Sequence, residues 1–404
     1  MTTLPVTDAP RDVALDVTRT ESDFRGLYVH VPFCVHKCHY CDFYSITRQS
    51  PERMARYVDL VLTEADLWSD ADTEFRTIFF GGGTPSLLPA DDMARLVRGL
   101  RDRLDLSRVD EFTVEVNPNH VTPGYFETLV DVGVTRVSLG AQSFVPSELK
   151  ALERDHEPAC VAPAVEAARD AGIDRQSVDL IHAIPGQTAE SLAVSLDAAI
   201  ATGVDHVSCY ALTYEPNTPL YVRRRLGRVV ATPEDEELDL FRLVRRRLSD
   251  AGLSPYETSN FARPSFECRH NVSCWSGDDY LGLGPAAASH GSGVRWRNEP
   301  HLGRWERSVG SDILPVIEAE RLPASDRAAE LAWLNLRMTR GIDRDDFATR
   351  TGDAVDSWFG DALPRLAEAG LIESDVTSIR LTTRGVELTD AIAAELFAAA
   401  CAET

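Results

Sequence analysis

The sequence predicts an α/β fold: a partial (β/α)6 barrel of the TIM kind, followed by a C-terminal α+β domain that resembles a winged helix. Three observations carry this expectation. Strand-like and helix-like segments alternate six times between residues 26 and 211. The distinctive polar residues each follow one of those strands. From residue 318 onward the pattern changes to helices around one short hairpin.

Apolar runs rich in β-branched and aromatic residues fall at 26–31 (GLYVHV), 76–80 (RTIFF), 111–116 (EFTVEV), 134–139 (VTRVSL), 177–181 (SVDLI) and 206–211 (HVSCYA). Helical spacing occupies 51–69, 91–104, 122–131, 158–171 and 189–202. Such alternation argues for parallel strands joined by crossover helices. Six units fall short of the eight that close a full barrel, so an open barrel is expected, with an open doubly wound sheet as the alternative. A helix is expected at 234–253, then SPYETSNFARPSFECRHNVSCW and the Gly-rich DDYLGLGPAAASHGSG. Gly282, Gly284 and Ala287 superficially fit a dinucleotide fingerprint, but no convincing strand precedes them and they read as a turn. Helices at 325–338, 343–350, 355–370 and 385–399, with a hairpin at 371–383, complete the chain. The expected organisation is a polar acidic tail (1–24), the barrel (25–225), a barrel extension (226–317) and the C-terminal domain (318–404).

At 404 residues and 44% hydrophobic content the chain can bury a large core. No apolar run approaches a membrane span, and the N-terminus lacks the basic start and apolar core of a signal peptide. A cytoplasmic protein with reduced cysteines is expected. The net charge is −23, and Lys37 and Lys150 are the only lysines. Acidic residues spread along the chain suit a high-salt cytoplasm, where salt screens their repulsion. The same charge argues against strong nucleic-acid binding.

Cys34, Cys38 and Cys41 lie in VHVPFCVHKCHYCDFYS, directly after the first strand. The C-x3-C-x2-C spacing puts three thiolates in one tight loop. Iron–sulfur cubanes ordinarily take four cysteines, so three suggest an iron left open for another ligand. A zinc knuckle using His30, His36 or His39 is the alternative. Cys160, Cys209, Cys268, Cys274 and Cys401 are scattered and read as packing residues. The Gly81-Gly82-Gly83-Thr84-Pro85 turn lets a ligand approach the backbone, although tight-turn dihedrals alone would also explain it. It is no Walker loop, because no Gly-Lys-Ser/Thr follows. Glu115 and Asn117 end the third strand, Gln142 follows the fourth, Asp179 lies in the fifth, and Tyr210 to Thr213 end the sixth. Barrel enzymes build their sites at these carboxyl ends.

Together these features resemble the radical S-adenosylmethionine superfamily. The resemblance implies a [4Fe–4S] cluster on Cys34, Cys38 and Cys41, whose open iron is chelated by the amino and carboxylate groups of S-adenosylmethionine. There the reduced cluster cleaves a carbon–sulfur bond to release a 5′-deoxyadenosyl radical. Tyr40, just before the third cysteine, fits the ring that lies near the adenine in that superfamily.

YVHVPFC, FFGGGTPSLL, EVNPN, RVSLGAQSF, LERDH, DLIHAIPGQT and LTTRGVEL resemble the oxygen-independent coproporphyrinogen III oxidase family, over almost the whole chain from about residue 25. That family pattern implies Tyr28, Gly82, Gly83, Thr84, Glu115, Gln142, Arg154 and Asp179 as S-adenosylmethionine contacts, with Thr213 at the same rim. Glu115 suits the ligand's ammonium, Arg154 a carboxylate, and Asp179 the ribose hydroxyls.

Authentic oxidases carry a further cysteine two positions after the third. Phe43 stands there, and the N-terminal segment also differs. Both departures, with SCYALTYEPNTPL, YETSNFARP and CRHNVSCW, point to the HemW-like haem chaperone branch. In that branch an H-N-x-x-Y-W segment is associated with haem, and this chain reads His270-Asn271-Val272-Ser273-Cys274-Trp275. His270 is the candidate haem ligand; a packing role for it, or ligation by Cys274, are the alternatives. His290 is a further candidate. The implied partners are haem, an unidentified acceptor protein and an electron donor such as a flavodoxin or ferredoxin. Coproporphyrinogen oxidation is the alternative function. A nucleic-acid-binding iron–sulfur regulator is a remote one, because residues 355–370 carry more acid than base.

Overall fold

The structure is a computed structural model that describes residues 22–47, 49–69 and 73–402. The expected tail, 1–24, falls almost entirely outside them. The six units run β1 (Gly26–Val31), α1 (Pro51–Asp66), β2 (Thr77–Gly82), α2 (Ala90–Arg101), β3 (Glu111–Val116), α3 (Pro123–Asp131), β4 (Arg136–Gln142), α4 (Pro146–Leu152), α5 (Val161–Asp170), β5 (Arg175–His182), α6 (Ala189–Ala201) and β6 (His206–Ala211). Helix starts are written locally. The side-chain oxygens of Ser50, Thr122 and Thr188 accept the amide hydrogens of Arg53, Tyr125 and Ser191, and Pro51 and Pro123 open their helices where no amide hydrogen is needed.

Strands β1 to β6 lie side by side in chain order, every pair parallel. A doubly wound sheet reverses its order at a switch point, and this one does not, so the barrel reading holds. Leu27, Val29, Val31, Phe80, Val114, Leu139 and Leu180 belong to the main hydrophobic core. Alternation along each strand turns the other register inward, placing Tyr28, Glu115, Ser138 and Asp179 on the barrel's inner face.

The sheet continues past both ends of the six. After α7 (Pro219–Arg225) and α8 (Glu234–Asp250), β7 (Ser254–Pro255) and β8 (Asn260–Ala262) add antiparallel strands beside β6. Helix α9 (Arg269–Trp275) then leads to β9 (Tyr280–Leu283), which lies parallel to β1 on the other edge. This corrects the turn reading for Gly282, which sits in a strand, where a Cβ would come within 2.2 Å of the Ala288 carbonyl oxygen; Gly284, with φ of +95°, does open a turn. The run is short and Gly-rich, so its strand character comes from pairing with β1. Strands β10 (Ala288–Gly291), β11 (Val294–Asn298) and β12 (Val316–Arg321), with α10 (Leu302–Val309) between the last two, complete a twelve-stranded sheet.

Glu64 of α1 ties this extension to the barrel. Its carboxylate is fully buried and accepts hydrogen bonds from Gly284 N (2.9 Å), Trp305 Nε1 (3.0 Å) and Asn298 Nδ2 (2.6 Å). Burial pushes its pKa up to about 7, against the lowering effect of those donors.

The C-terminal domain has its own core and a three-stranded sheet. It comprises α11 (Ala324–Arg337), β13 (Ile342–Asp343), α12 (Arg344–Thr351), α13 (Val355–Phe359), α14 (Ala362–Glu368), β14 (Ile372–Ser374), β15 (Ser378–Leu381), α15 (Thr383–Glu387) and α16 (Thr389–Ala402). The expected helix 355–370 is broken at Gly360, whose φ of 42° no ordinary helix holds. The domain docks on α9 and the loop after it. Asn335 donates to the Trp275 carbonyl (2.9 Å), the Arg337 guanidinium lies 4.5 Å from the Trp275 ring, and Arg350 pairs with Asp278 (2.9 Å). Among the described residues no helix is long and apolar enough to cross a membrane.

Candidate functional site

The cysteine loop is pinned to the carboxyl end of β1. Cys34 N donates to the Ile46 carbonyl (3.0 Å) and Ile46 N to the Pro32 carbonyl (2.7 Å), closing the loop at its base. Two donors from other units reach its sulfurs: Thr84 Oγ1 lies 3.6 Å from Cys34 Sγ, and Arg154 Nη1 lies 3.5 Å from Cys38 Sγ. Burial raises the Cys34 pKa and pushes that of Cys41 up to about 11, so iron must displace protons to bind there. The zinc alternative loses His30. One ring nitrogen of that buried residue meets Tyr28 OH (3.0 Å) and the other the Tyr44 carbonyl (2.8 Å). Among the described residues no group of three or more His, Cys, Asp or Glu side chains is placed to hold a single metal ion.

The glycine turn lies against this loop. Gly83 N donates to the Val31 carbonyl (2.8 Å) and Thr84 N to the Phe33 carbonyl (2.7 Å). A Cβ at Gly83 would come within 2.7 Å of the first of those oxygens and 2.8 Å of the second. At Gly82, with φ of +102°, it would fall 2.3 Å from the His30 ring. Both glycines are therefore required by close approach, beyond the needs of a turn.

Two acids face the barrel interior. Burial, then the nearby Asp179 charge, pushes Glu115 up to about 8, against the hydrogen bond it accepts from Gly82 N (3.1 Å). Burial also raises Asp179, although the Ser138 hydroxyl (2.9 Å) and the Ser177 hydroxyl (3.3 Å) donate to it. Neither carboxylate has an ion-pair partner among the described residues. Arg136, buried on the same inner face, lowers both acids without reaching ion-pair contact, and two buried acids so placed favour a cationic ligand.

Gln142 holds φ of 62° at a bulge where β4 leaves its register with β5. Left-handed backbone at a non-glycine residue stores strain of the kind found at ligand sites. Arg154 bridges the Cys38 sulfur and the Gly140 carbonyl (2.7 Å). Burial works against its charge, but Tyr40 and Cys38 outweigh that and hold its pKa above the ordinary arginine value. Tyr40 packs against the small cluster of Leu152, Ile181, Ile184, Leu212 and Leu220. Thr213 is exposed two residues beyond β6, and its side chain bonds to no described residue.

The donor set fits a thiolate-bound cluster and an aminoacyl ligand: three thiols with hydrogen-bond donors beside them, a glycine cradle that a Cβ would fill, and two buried acids with no ion-pair contact among the described residues. Tyr28, Gly82, Gly83, Thr84, Glu115, Gln142, Arg154 and Asp179 thus fall on one rim and inner face around Cys34, Cys38 and Cys41. Ser138, Ser177 and His30 were not expected in that group. The signal for Ser138 was available: Arg136, Ser138, Gly140 and Gln142 alternate along β4 and share its inner face.

The haem candidates lie elsewhere. His270 is buried at the amino-terminal end of the barrel, its Nδ1 2.9 Å from Thr77 Oγ1 and its ring 5.2 Å from that of Phe79. Thr77 opens β2, whereas the cysteine loop follows the far end of β1, so the strands' length separates His270 from the thiols. Glu111, the first residue of β3, accepts the amide hydrogens of Arg269 (3.0 Å) and His270 (3.1 Å) and so fixes the start of α9. In this structure His270 packs at the barrel floor, against Thr77 and Phe79. Burial pushes the Cys274 thiol up to about 12. Phe43 is 55% exposed on the cysteine loop.

The half-open barrel, the cysteine loop and the glycine cradle define a radical S-adenosylmethionine protein. A model of the radical SAM superfamily matches residues 28–199, and one of the HemN C-terminal domain matches residues 322–388. The chain is 37% identical over 374 residues to the heme chaperone HemW of Mycobacterium tuberculosis, spanning 91% of this chain and 93% of that one. It is 39% identical over 333 residues to the heme chaperone HemW of Escherichia coli, spanning 81% and 86%. Coproporphyrinogen III oxidase (HemN) of Escherichia coli superposes with a TM-score of 0.83 at 21% identity, covering 96% of this chain and 94% of that one, which establishes the shared fold. The chain belongs to the HemW heme chaperone family within the radical SAM superfamily.

Proposed function

We propose that this protein is a cytoplasmic haem chaperone, which binds a [4Fe–4S] cluster, S-adenosylmethionine and one haem and passes the haem to an acceptor protein. The observation that carries the reading is identity of 37% to a heme chaperone across 91% of the chain. The three thiols and the rim around them supply its physical support.

In this reading Cys34, Cys38 and Cys41 hold the cluster, leaving one iron without a protein ligand. Gly82 and Gly83 expose backbone to the aminoacyl end of S-adenosylmethionine. Glu115 gives up its proton and pairs with the ammonium, and Asp179, aligned by Ser138, accepts from the ribose. Arg154 offers charge-assisted donors beside Cys38. Tyr40 covers the adenine side and excludes water. When bound and reduced by a flavodoxin- or ferredoxin-like donor, the cluster supplies the electron for carbon–sulfur cleavage. Control of haem loading or release is the use proposed for that machinery here.

The test is anaerobic cluster reconstitution, followed by haem titration and a coproporphyrinogen turnover assay on the same preparation. Stoichiometric haem binding without turnover supports the chaperone. Efficient protoporphyrinogen formation would identify an oxidase instead.

A further inference from the structure

Helix α7 is tied at its start to the cysteine loop. Leu220 N donates to the carbonyl of His39, which stands between Cys38 and Cys41 (3.0 Å). The Arg223 guanidinium reaches back to the same residue, its Nη1 3.4 Å from His39 Nδ1. Arg224 lies over the Tyr214 ring (4.5 Å), which packs on the small apolar cluster that Tyr40 also joins. Arg225 and Arg228 follow, both exposed. Residues 219–230 thus carry four arginines and no acid, in a chain of net charge −23. The other arginine run, 242–247 on α8, is partly neutralised: Arg242 is held by Glu387 (2.7 Å) and Arg247 by Asp197 (3.2 Å).

The cysteine loop continues this basic face. Lys37 is exposed there, and while burial raises the Cys41 pKa, the Lys37 charge pulls against it. Lys150 is exposed one turn before Glu153, whose carboxylate stands 3.6 Å from His39 Nδ1. Asp42, Glu153 and Glu215 are the acids of these segments, so cations prevail. Apolar side chains are interleaved with them: Val35 and Phe43 in the loop, Val222, Leu226 and Val230 in and after α7. These are half of the large apolar side chains exposed among the described residues, and the Leu220–His39 bond joins the two segments that bear them. Exposed apolar groups among charges of one sign mark a protein-docking surface. On so acidic a molecule, a basic face attracts an acidic partner that the rest of the surface repels. Cys34 and Cys41 are only half-buried beneath it, so this is the side from which an electron reaches the thiols over a short path.

We propose that the face formed by the cysteine loop and residues 219–230 docks an acidic one-electron donor protein of the flavodoxin class, with Arg225 and Arg228 among its basic contacts and Phe43, Val222 and Leu226 among its apolar ones. The assignment rests on the cluster reading above and deepens it. One electron leaves the anionic flavin hydroquinone, which becomes the neutral semiquinone, and reduces the cluster from [4Fe–4S]2+ to [4Fe–4S]+. No bond breaks and no proton moves. Charge sets the rate of encounter, and the apolar contacts hold the pair where salt screens the charge.

The experiment takes the full-length, cluster-loaded protein, an acidic flavodoxin as the probe, and two double variants with the same change of charge. R225E/R228E alters the face; R98E/R384E alters exposed arginines on α2 and in the C-terminal domain. Stopped-flow absorption follows reduction of the cluster by flavodoxin hydroquinone, and calorimetry measures binding of the oxidised flavodoxin. The wild-type rate is expected to fall as ionic strength rises. R225E/R228E is expected to lose about tenfold or more in rate and affinity at low salt, with a flattened salt dependence, and R98E/R384E less than about threefold. Iron content and reduction by photoreduced deazaflavin, a small reductant that needs no docking, should be the same in all three. If R225E/R228E matches the wild type in flavodoxin rate and affinity, the proposal is overturned. It is overturned equally if that variant slows only the passage of haem to an acceptor, which would give the face to the acceptor. Haem titration of the same preparation tests the chaperone reading separately: a wild type that binds no haem defeats that reading and leaves the reduction rates to decide the docking face.

Discussion

The Gly82 amide donates to the Glu115 carboxylate across 3.1 Å, joining the glycine turn after β2 to the end of β3. That one bond links the two parts of the rim that differ most in chemistry, a bare backbone cradle and a buried acid. The acid has no ion-pair partner among the described residues, and burial pushes its pKa to about 8. At pH 7 it is therefore mostly protonated before ligand arrives.

A cationic ligand at Glu115 must then expel a proton. S-adenosylmethionine affinity is predicted to rise with pH up to about 8 and then level off, because the carboxylate that pairs with ammonium becomes available as the proton leaves. Calorimetry in buffers of different ionisation enthalpy should show about one proton released per ligand near pH 7. Glu115→Gln should flatten the pH profile and weaken binding by roughly tenfold or more, the scale of a charge-assisted bond.

Gly83→Ala places a methyl group 2.7 Å from the Val31 carbonyl oxygen and 2.8 Å from that of Phe33. Both are backbone atoms and cannot step aside cheaply. The turn must lift off the base of the cysteine loop, taking the Thr84 hydroxyl away from Cys34. Iron and sulfide content after reconstitution is predicted to fall sharply while far-ultraviolet circular dichroism stays near wild type. A full cluster in this variant would show that the clip is dispensable.

Glu64 gives a pH effect of a different origin. Its pKa of about 7 in the folded state lies above the ordinary glutamate value of 4.5, so folding takes up a proton between those limits. Its contribution is greatest below pH 4.5 and is lost as pH rises through 7. Denaturant titrations from pH 5 to 8 should show this slope in the wild type and a shallower one in Glu64→Gln. Glu64→Ala leaves the Trp305, Asn298 and Gly284 donors without their acceptor and should cost about 3 kcal/mol or more.

His270→Ala opens a hole beside Phe79 and strips Thr77 of its partner, so a loss of about 2–4 kcal/mol is expected on denaturant unfolding. A wild-type unfolding midpoint for His270→Ala would remove it from the barrel floor.

The barrel was legible because each strand is a compact apolar run and each helix carries its own start signal, such as Ser50-Pro51 and Thr122-Pro123. The rim residues were legible because they sit in motifs that follow strands. Strand β9 was not, since Gly282 has no intrinsic strand preference and is held there by pairing with β1. The break at Gly360 was also hidden, because the helical spacing runs on through it. The position of His270 was illegible for a deeper reason: the motif places it next to Cys268 and Trp275 in sequence, but only the pairing of β1 with β9 shows which end of the barrel that helix meets. His290 was visible as a residue, whereas its Asp279 partner reaches it only through tertiary packing.

The central claim is that three thiols at the β1 rim hold a cubane with one iron open to a ligand resting on the Gly82–Glu115 cradle. Electron paramagnetic resonance of the reduced, reconstituted protein, recorded with and without S-adenosylmethionine, tests it most directly. The account predicts a [4Fe–4S]+ signal that changes on adding the ligand, and a greatly diminished change in Glu115→Gln. A cluster signal indifferent to S-adenosylmethionine, or retained in full when Cys34, Cys38 and Cys41 are all replaced by alanine, would contradict it.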